Sequence, residues 1–298
     1  MRLIIHLGIH KTASTFFQKK IFNNLNNYFY FDRKSLERFK EYILYTDEFY
    51  FDKEIALNFF YSSIDKSKEN IIISDEDFYG LPFSGGTNRK RNIDRLLETF
   101  KEKIDVKFIL LLRQQGNLLN SLYLQYIKTG GTASPERFLN SKKPPIFILP
   151  SYFKYDKYIQ HISNKIGEKS ICCLFYEDFE VNKSSVISEI ELFLETSYKN
   201  CQPLNKKNNH SINYRFVSTL RFLNKFTKSY KNPDGFFPHI FSKAYTKFFL
   251  ILSKNMKSSK PLVQFNSSEL QVFNASNIFL TKIKSKEWML QNNYINEK

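Results

Sequence analysis

The chain opens on RLIIHLGIHKTASTFFQ at 2–18, a short apolar run that stops at a glycine and meets a lysine and three hydroxyls. Residues 3–7 read as a strand. Phe16, Phe17, Ile21 and Phe22 recur at helical intervals and predict an amphipathic helix over about 13–24. A polar-aromatic helical region over roughly 33–64 leads to a second strand, NIIIS at 70–74. The glycine-bearing loop LPFSGGTNRK follows, then a helix near 91–102. VKFILLL at 106–112 is an unbroken apolar run, as in a parallel strand covered on both faces. A helix over 115–128 stops at Gly130 and Gly131, and the Pro-rich stretch 142–150 is a connection, a lid or an excursion. A helix near 153–166 and the strand SICCLFY at 170–176 complete the alternation, after which helices predominate.

Strands separated by helices imply a parallel sheet with helices on both faces, an α/β protein of three layers, α/β/α. The expected organisation is one domain over 1–298, with an α/β core over 1–216 and a helical subregion over 217–298. A chain of 298 residues is long enough for such a domain.

Hydrophobic residues make up 42% and charged residues 25%, which excludes a disordered chain. No apolar stretch approaches the roughly 20 residues of a membrane span, and the start lacks the pattern of a secretory signal, so a cytoplasmic setting is expected. Cys172, Cys173 and Cys201 form no metal or disulfide pattern and read as free thiols. Lys and Arg number 45 against 29 acidic residues, a net charge of +16 that favours anionic partners. The basic residues are scattered, with no recognised nucleic-acid motif, so nucleic acid is not expected as a partner.

The first turn carries the most chemistry. A strand, a glycine turn and a helix start make an anion site from backbone amides and the helix dipole. Gly8 lets the chain turn closely, Lys11 adds a full charge, and Thr12, Ser14 and Thr15 offer hydroxyl and amide donors. The nucleotide-triphosphate loop G-x-x-x-x-G-K-[ST] does not fit, because Ala13 and Ser14 stand where its second glycine and lysine would be. On these residues alone, a polar helix start with a solvated lysine is the competing reading.

Four blocks together resemble the sulfotransferases that use 3′-phosphoadenosine 5′-phosphosulfate (PAPS). HLGIHKTAST is similar to the 5′-phosphosulfate loop of the bacterial and carbohydrate branches, with Ala13 for the usual glycine and Ser14 for a usual threonine. LLLRQQGNLLNSLY puts Arg113 at a strand end and Ser121 eight residues on, resembling the family's 3′-phosphate site. A forked guanidinium beside a hydroxyl suits that phosphate; the competing reading pairs Arg113 with a helix carboxylate. CCLFYEDF at 172–179 resembles the strand-end Y-E-D motif, which implies Tyr176 near adenine or ribose; a buried tyrosine with a satisfied hydroxyl is the alternative. NNHSINYRF at 208–216 resembles the N-x-S segment, with Asn209 and Ser211 as nucleotide contacts or as caps of a helix beginning near Ile212.

The resemblance spans residues 3–216, with the blocks in the family's order. It implies a P-loop NTPase-like fold, PAPS as donor, adenosine 3′,5′-bisphosphate as product and no required metal. Gly8, His10, Lys11, Thr12, Ala13, Ser14 and Thr15 would line the donor's sulfate end, with Lys11 stabilising the leaving phosphate oxygen; His10 could instead touch the acceptor or be a packed loop histidine. IIISDEDF at 71–78 supplies the base: Glu76, by likeness to S-x-E-x-F, with Asp75 in reserve and Asp77 and Glu48 as further carboxylates. The alternative for this cluster is an acidic helix start without a chemical role. The expected acceptor is a hydroxyl, or less readily an amine, of a glycan or glycolipid such as a bacterial surface polysaccharide. The aromatic and basic stretch 229–254 offers a groove for it, a peripheral membrane contact, or a core-packed helix. A kinase-type phosphotransferase and a non-enzymatic binder of polyanions or membranes are the competing classes.

Overall fold

The computed structural model describes residues 1–65, 67–143, 145–199, 212–253, 256 and 261–296. Asn209 and Ser211 lie outside the described residues. The strands are β1 (Arg2–Gly8), β2 (Phe29–Phe31), β3 (Asn70–Ser74), β4 (Asp105–Leu112), β5 (Lys142–Lys143), β6 (Ile146–Phe147) and β7 (Ile171–Phe175). Five of them form one parallel sheet in the order β2-β3-β1-β4-β7. β5 and β6 form a small antiparallel pair within the Pro-rich connection.

The helices are α1 (Ser14–Phe16), α2 (Glu37–Tyr45), α3 (Lys53–Ser63), α4 (Arg89–Phe100), α5 (Gln115–Lys128), α6 (Pro135–Asn140) and α7 (Asp156–Ile166). They continue with α8 (Tyr176–Val181), α9 (Lys183–Leu194), α10 (Val217–Asn224), α11 (His239–Ser253), α12 (Ser267–Ile278) and α13 (Lys286–Gln291). α1 runs straight into a π turn at Phe17–Ile21 and a 3-10 turn at Phe22–Asn24. The amphipathic helix expected over 13–24 is therefore helical from Ser14 to Asn24 but changes pitch twice. The helix expected near Ile212 begins instead at Val217, after a 3-10 turn whose N-cap is Asn213.

Alternation along each strand divides the core in two. Leu3, Ile5, Leu7, Ile71, Ile73, Phe108, Leu110, Leu112 and Phe175 face one layer of helices, which includes α2, α3, α4, α5 and α7. Ile4, Ile72, Ile109, Leu111 and Leu174 face the other, built from residues 14–28 and α8–α9 through Phe17, Phe22, Phe179, Ile187 and Ile190. These are the three layers expected. Burying both faces explains why β1, β3 and β4 read as near-continuous apolar runs. The larger cluster continues into Leu280, Met289 and Tyr294, so the C-terminal helices share it.

β1 lies between β3 and β4, with Ile5 opposite both Ile73 and Phe108. The chain leaves β1 to one side for β2 and β3, then crosses to the other for β4 and β7. The switch in direction opens a crevice at the carboxyl ends of the central strands, where open parallel sheets bind ligands. Among the described residues no helix is long and apolar enough to cross a membrane.

Candidate functional site

The turn after β1 is tightly wound. Lys11 and Ala13 take the left-handed conformation, with φ of 69° and 65°. For residues with a Cβ this costs about 1–2 kcal/mol each. The buried Thr12 hydroxyl holds the turn from within by donating to the Ile9 carbonyl at 2.6 Å. Gly8 is needed because a Cβ there would stand 2.3 Å from Ser14 Oγ. Below the turn, His6 Nδ1 and Ser74 Oγ are 2.7 Å apart, and Gln18 donates to the same hydroxyl at 3.0 Å, tying the tips of β1 and β3 to the π turn. Burial pushes His6 down to about 3, so it is neutral at ordinary pH.

The β4 tip reaches the same place. Arg113 Nη1 donates to the Lys11 carbonyl at 2.6 Å, while Tyr155 holds the Arg113 carbonyl at 2.5 Å. The guanidinium lies 4.2 Å over the ring of Tyr176, the first residue after β7. Burial pushes the Tyr176 phenol up to about 12, and its hydroxyl donates to Glu180 at 2.9 Å. Lys11 reaches solvent at the mouth, yet surrounding protein lowers its pKa, as do the charges of Lys128 and Arg113; Glu76 acts in the opposite sense. Among the described residues, no carboxylate lies within ion-pair distance of Lys11, Arg113 or Lys128.

The β3 tip is the opposite. Asp75, almost wholly buried, accepts two bonds from Arg33 at 2.8 and 2.9 Å and pairs with Lys40 at 3.1 Å. It also caps the turn that follows by accepting from the Asp77 amide at 2.8 Å. Asp77 pairs with Lys40 at 2.8 Å and stands 3.5 Å from His10 Nε2. Glu76 is the least engaged of the three: Arg33 lies 3.5 Å away and His10 Nδ1 3.9 Å away, and its side chain is one-fifth exposed. His10 thus bridges the acidic tip to the lysine turn. Burial lowers its pKa, against the pull of Glu76, Asp77 and Asp75.

The structure brings together Gly8, His10, Lys11, Thr12, Ala13, Ser14, Glu76, Arg113 and Tyr176. Thr15 is exposed on α1, and Ser121 is half-buried near the end of the second turn of α5. Glu48 lines a separate pocket along α4 with Arg91 and Arg95. Sequence reasoning missed Arg33, Lys40 and Lys128, which supply local charge from distant positions. It also missed how the Y-E-D block is held. Glu177 accepts from the Gln114 amide at 3.0 Å and the Tyr294 hydroxyl at 2.8 Å; Asp178 accepts from Trp288 Nε1 at 2.8 Å and pairs with Lys284. The C-terminal helices are thereby fastened beside the Arg113 tip.

Among the described residues, four buried polar atoms at and below the turn have no hydrogen-bond partner: Ser14 Oγ, Arg113 Nε, His6 Nε2 and His10 Nε2, the last facing Asp77 at 3.5 Å. Ser14 Oγ and Arg113 Nε, with the unpaired cations, form a donor set suited to oxyanions. Among the described residues no group of three His, Cys, Asp or Glu side chains is placed to hold a metal ion.

No protein-family model and no curated protein matches the chain. Several solved structures resemble it. A sulfotransferase from Alicyclobacillus acidocaldarius is 15% identical, with a TM-score of 0.49 over 70% of this chain and 87% of that one. The sulfotransferase domain from the curacin biosynthetic pathway is 11% identical, with a TM-score of 0.41 over 95% of this chain and 97% of that one. A retinol dehydratase in complex with androsterone and the inactive cofactor PAP is 13% identical, with a TM-score of 0.32 over the whole of this chain and 83% of that one. None of these likenesses reaches a TM-score of 0.5.

Proposed function

We propose that the protein is a sulfotransferase that moves a sulfuryl group from PAPS to a hydroxyl of a glycan or glycolipid, releasing adenosine 3′,5′-bisphosphate. The observation that carries this reading is the bond from Arg113 to the Lys11 carbonyl, which joins two strand tips whose cations lack carboxylate partners. A ligand anionic at both ends answers that arrangement, and the orphaned Ser14 and Arg113 atoms fit it. Bound PAPS would supply an activated sulfuryl group on a phosphate leaving group.

In this reading the turn of Gly8, His10, Lys11, Thr12, Ala13, Ser14 and Thr15 receives the phosphosulfate end. Lys11 neutralises charge growing on the bridging phosphate oxygen, where a cation in a partly dry site is worth most. Arg113 and Ser121 receive the 3′-phosphate, Tyr176 covers adenine or ribose, and Asn209 and Ser211 add contacts. Glu76 takes the acceptor proton: it is the freest carboxylate at the β3 tip and its charge is felt by Lys11. Asp75 is held by Arg33 and Lys40, which suits a positioning role better than proton transfer. The chain acts as one domain in the cytoplasm, peripheral to the inner face of the membrane.

Incubation with PAPS carrying labelled sulfate and cell-envelope glycans, followed by mass spectrometry, tests the reading. Label on a glycan hydroxyl is expected. Magnesium-dependent turnover of ATP with no sulfate transfer would instead favour a phosphotransferase.

A further inference from the structure

α11 leaves much of its apolar surface outside. Its fully buried residues are polar, Ser242, Thr246 and Ser253, and Tyr245, Phe249 and Leu250 pack beside them on the core, while Ile240, Phe241, Phe248, Ile251 and Leu252 are exposed. At 100° per residue those five side chains share one outward arc, with Lys243 and Lys247 along its edge. The inward side is firmly seated. Tyr245 bonds Asn224 at 2.6 Å and Thr227 at 2.7 Å, the Asn213 amide donates to Ser253 at 2.8 Å, and Phe249 packs on Phe216. The orientation is therefore fixed by hydrogen bonds and core packing together, and the remaining apolar arc faces outward.

The exposed apolar surface extends beyond α11. Phe222 and Phe226 lie on and just after α10, and the connecting loop adds Tyr230, Phe236 and Phe237, with Tyr230 and Phe236 each more than four-fifths exposed. Residues 221–253 carry Arg221, Lys225, Lys228, Lys231, Lys243 and Lys247 against a single acidic residue, Asp234. An apolar arc with flanking lysines and almost no acid is complementary to an anionic bilayer interface: rings and aliphatics enter the acyl boundary and lysines stay at the headgroups.

We propose that the α10–α11 face docks on anionic phospholipid bilayers and so presents the site to acceptors carried at that surface. The site is adjacent through α5. Asn224 donates to the carbonyls of Ile127 and Gly131 at 2.8 Å each, and Lys231 Nζ lies 2.5 Å from Thr129 Oγ1. These contacts flank Lys128, whose charge acts on Lys11. The inference deepens the proposed function by saying where the acceptor is met, but docking itself requires neither donor nor transfer.

The full-length protein, without nucleotide, is sedimented with vesicles of phosphatidylcholine containing about one-third phosphatidylglycerol and with vesicles of phosphatidylcholine alone. Binding to the anionic vesicles is expected, falling as salt is raised. Lys243→Glu with Lys247→Glu should weaken it at least tenfold, since each basic residue near such a surface contributes a factor of about five. Phe241→Ser with Phe248→Ser should weaken it similarly, with circular dichroism and melting unchanged because all four side chains are exposed. Absence of vesicle binding, equal binding to both vesicle types, or variants that bind like the parent would overturn the proposal. So would light scattering that shows a dimer dissolved by the same substitutions and no bilayer binding. A parent protein that transfers sulfate but does not dock refutes this inference alone; a parent that docks but does not transfer refutes the enzymatic reading alone.

Discussion

The tips of β1 and β4 and the tip of β3 lie side by side, yet they treat charge in opposite ways. At β3 every carboxylate has a cation: Asp75 holds Arg33 and Lys40, Asp77 holds Lys40, and Glu76 stands 3.5 Å from Arg33. At β1 and β4 the cations have none among the described residues, and Arg113 donates instead to a backbone carbonyl. A saturated cluster needs nothing more, since removing one partner from a buried pair is what costs stability. An unsaturated one holds like charges together, which folding alone does not reward. Burial and the charges of Lys128 and Arg113 lower the Lys11 pKa, a cost that the anion of the proposed function would offset.

Substitutions at the two tips should therefore fail differently, and the largest expected effect separates neighbours within β3's own tip. Glu76→Gln should lower sulfate transfer by on the order of 10²–10⁴ with little change in melting temperature, as for loss of a general base. Asp75→Asn should do the reverse, lowering the melting temperature while the folded fraction keeps transfer to within about tenfold. Equal losses of rate in both would erase the distinction. At the other tip, Lys11→Ala should cost about 10²–10³ in rate with the fold intact, measured by transfer at saturating PAPS. Because burial and neighbouring cations lower the Lys11 pKa, the parent's rate should also decline at less alkaline pH than an ordinary lysine would dictate.

The smallest effect concerns the joint beneath both tips. His6 is buried and neutral, with its pKa pushed from 6.5 to about 3. The unfolded chain binds a proton below pH 6.5 that the folded chain refuses, so this stabilisation is complete above that pH and declines as pH falls towards 3. The slope is about 1.4 kcal/mol per pH unit. His6→Gln should remove that slope in denaturant melts between pH 6 and 4, even if its stability at pH 8 is lower. An unchanged slope would mean that His6 does not titrate as its burial requires.

Much of this site is visible in local sequence. The apolar run of β4, the lysine turn after β1 and the arginine directly after β4 are contiguous signals, because a doubly covered strand and its tip occupy a few adjacent residues. What eluded sequence reading depends on contacts across long separations or on very short elements. β2 is three residues at the sheet edge, too brief to carry a period. The π turn at 17–21 keeps helical spacing while shifting pitch, so its apolar positions resemble those of an ordinary helix. Arg33 neutralises Asp75 from 42 positions away, and Tyr294 meets Glu177 across 117. α11 was readable as amphipathic, but only its contacts reveal that one apolar arc, Ile240, Phe241, Phe248, Ile251 and Leu252, faces outward.

The central claim is that Lys11 and Arg113 grip the two ends of one doubly phosphorylated adenosine. Thermal melting with adenosine 3′,5′-bisphosphate, against adenosine 5′-monophosphate and ATP at the same concentration, tests it most directly. The account predicts a distinctly larger upward shift with the bisphosphate and, in Arg113→Lys, collapse of that excess to the level of the monophosphate. Equal shifts for all three nucleotides, or an excess that survives in Arg113→Lys, would contradict it.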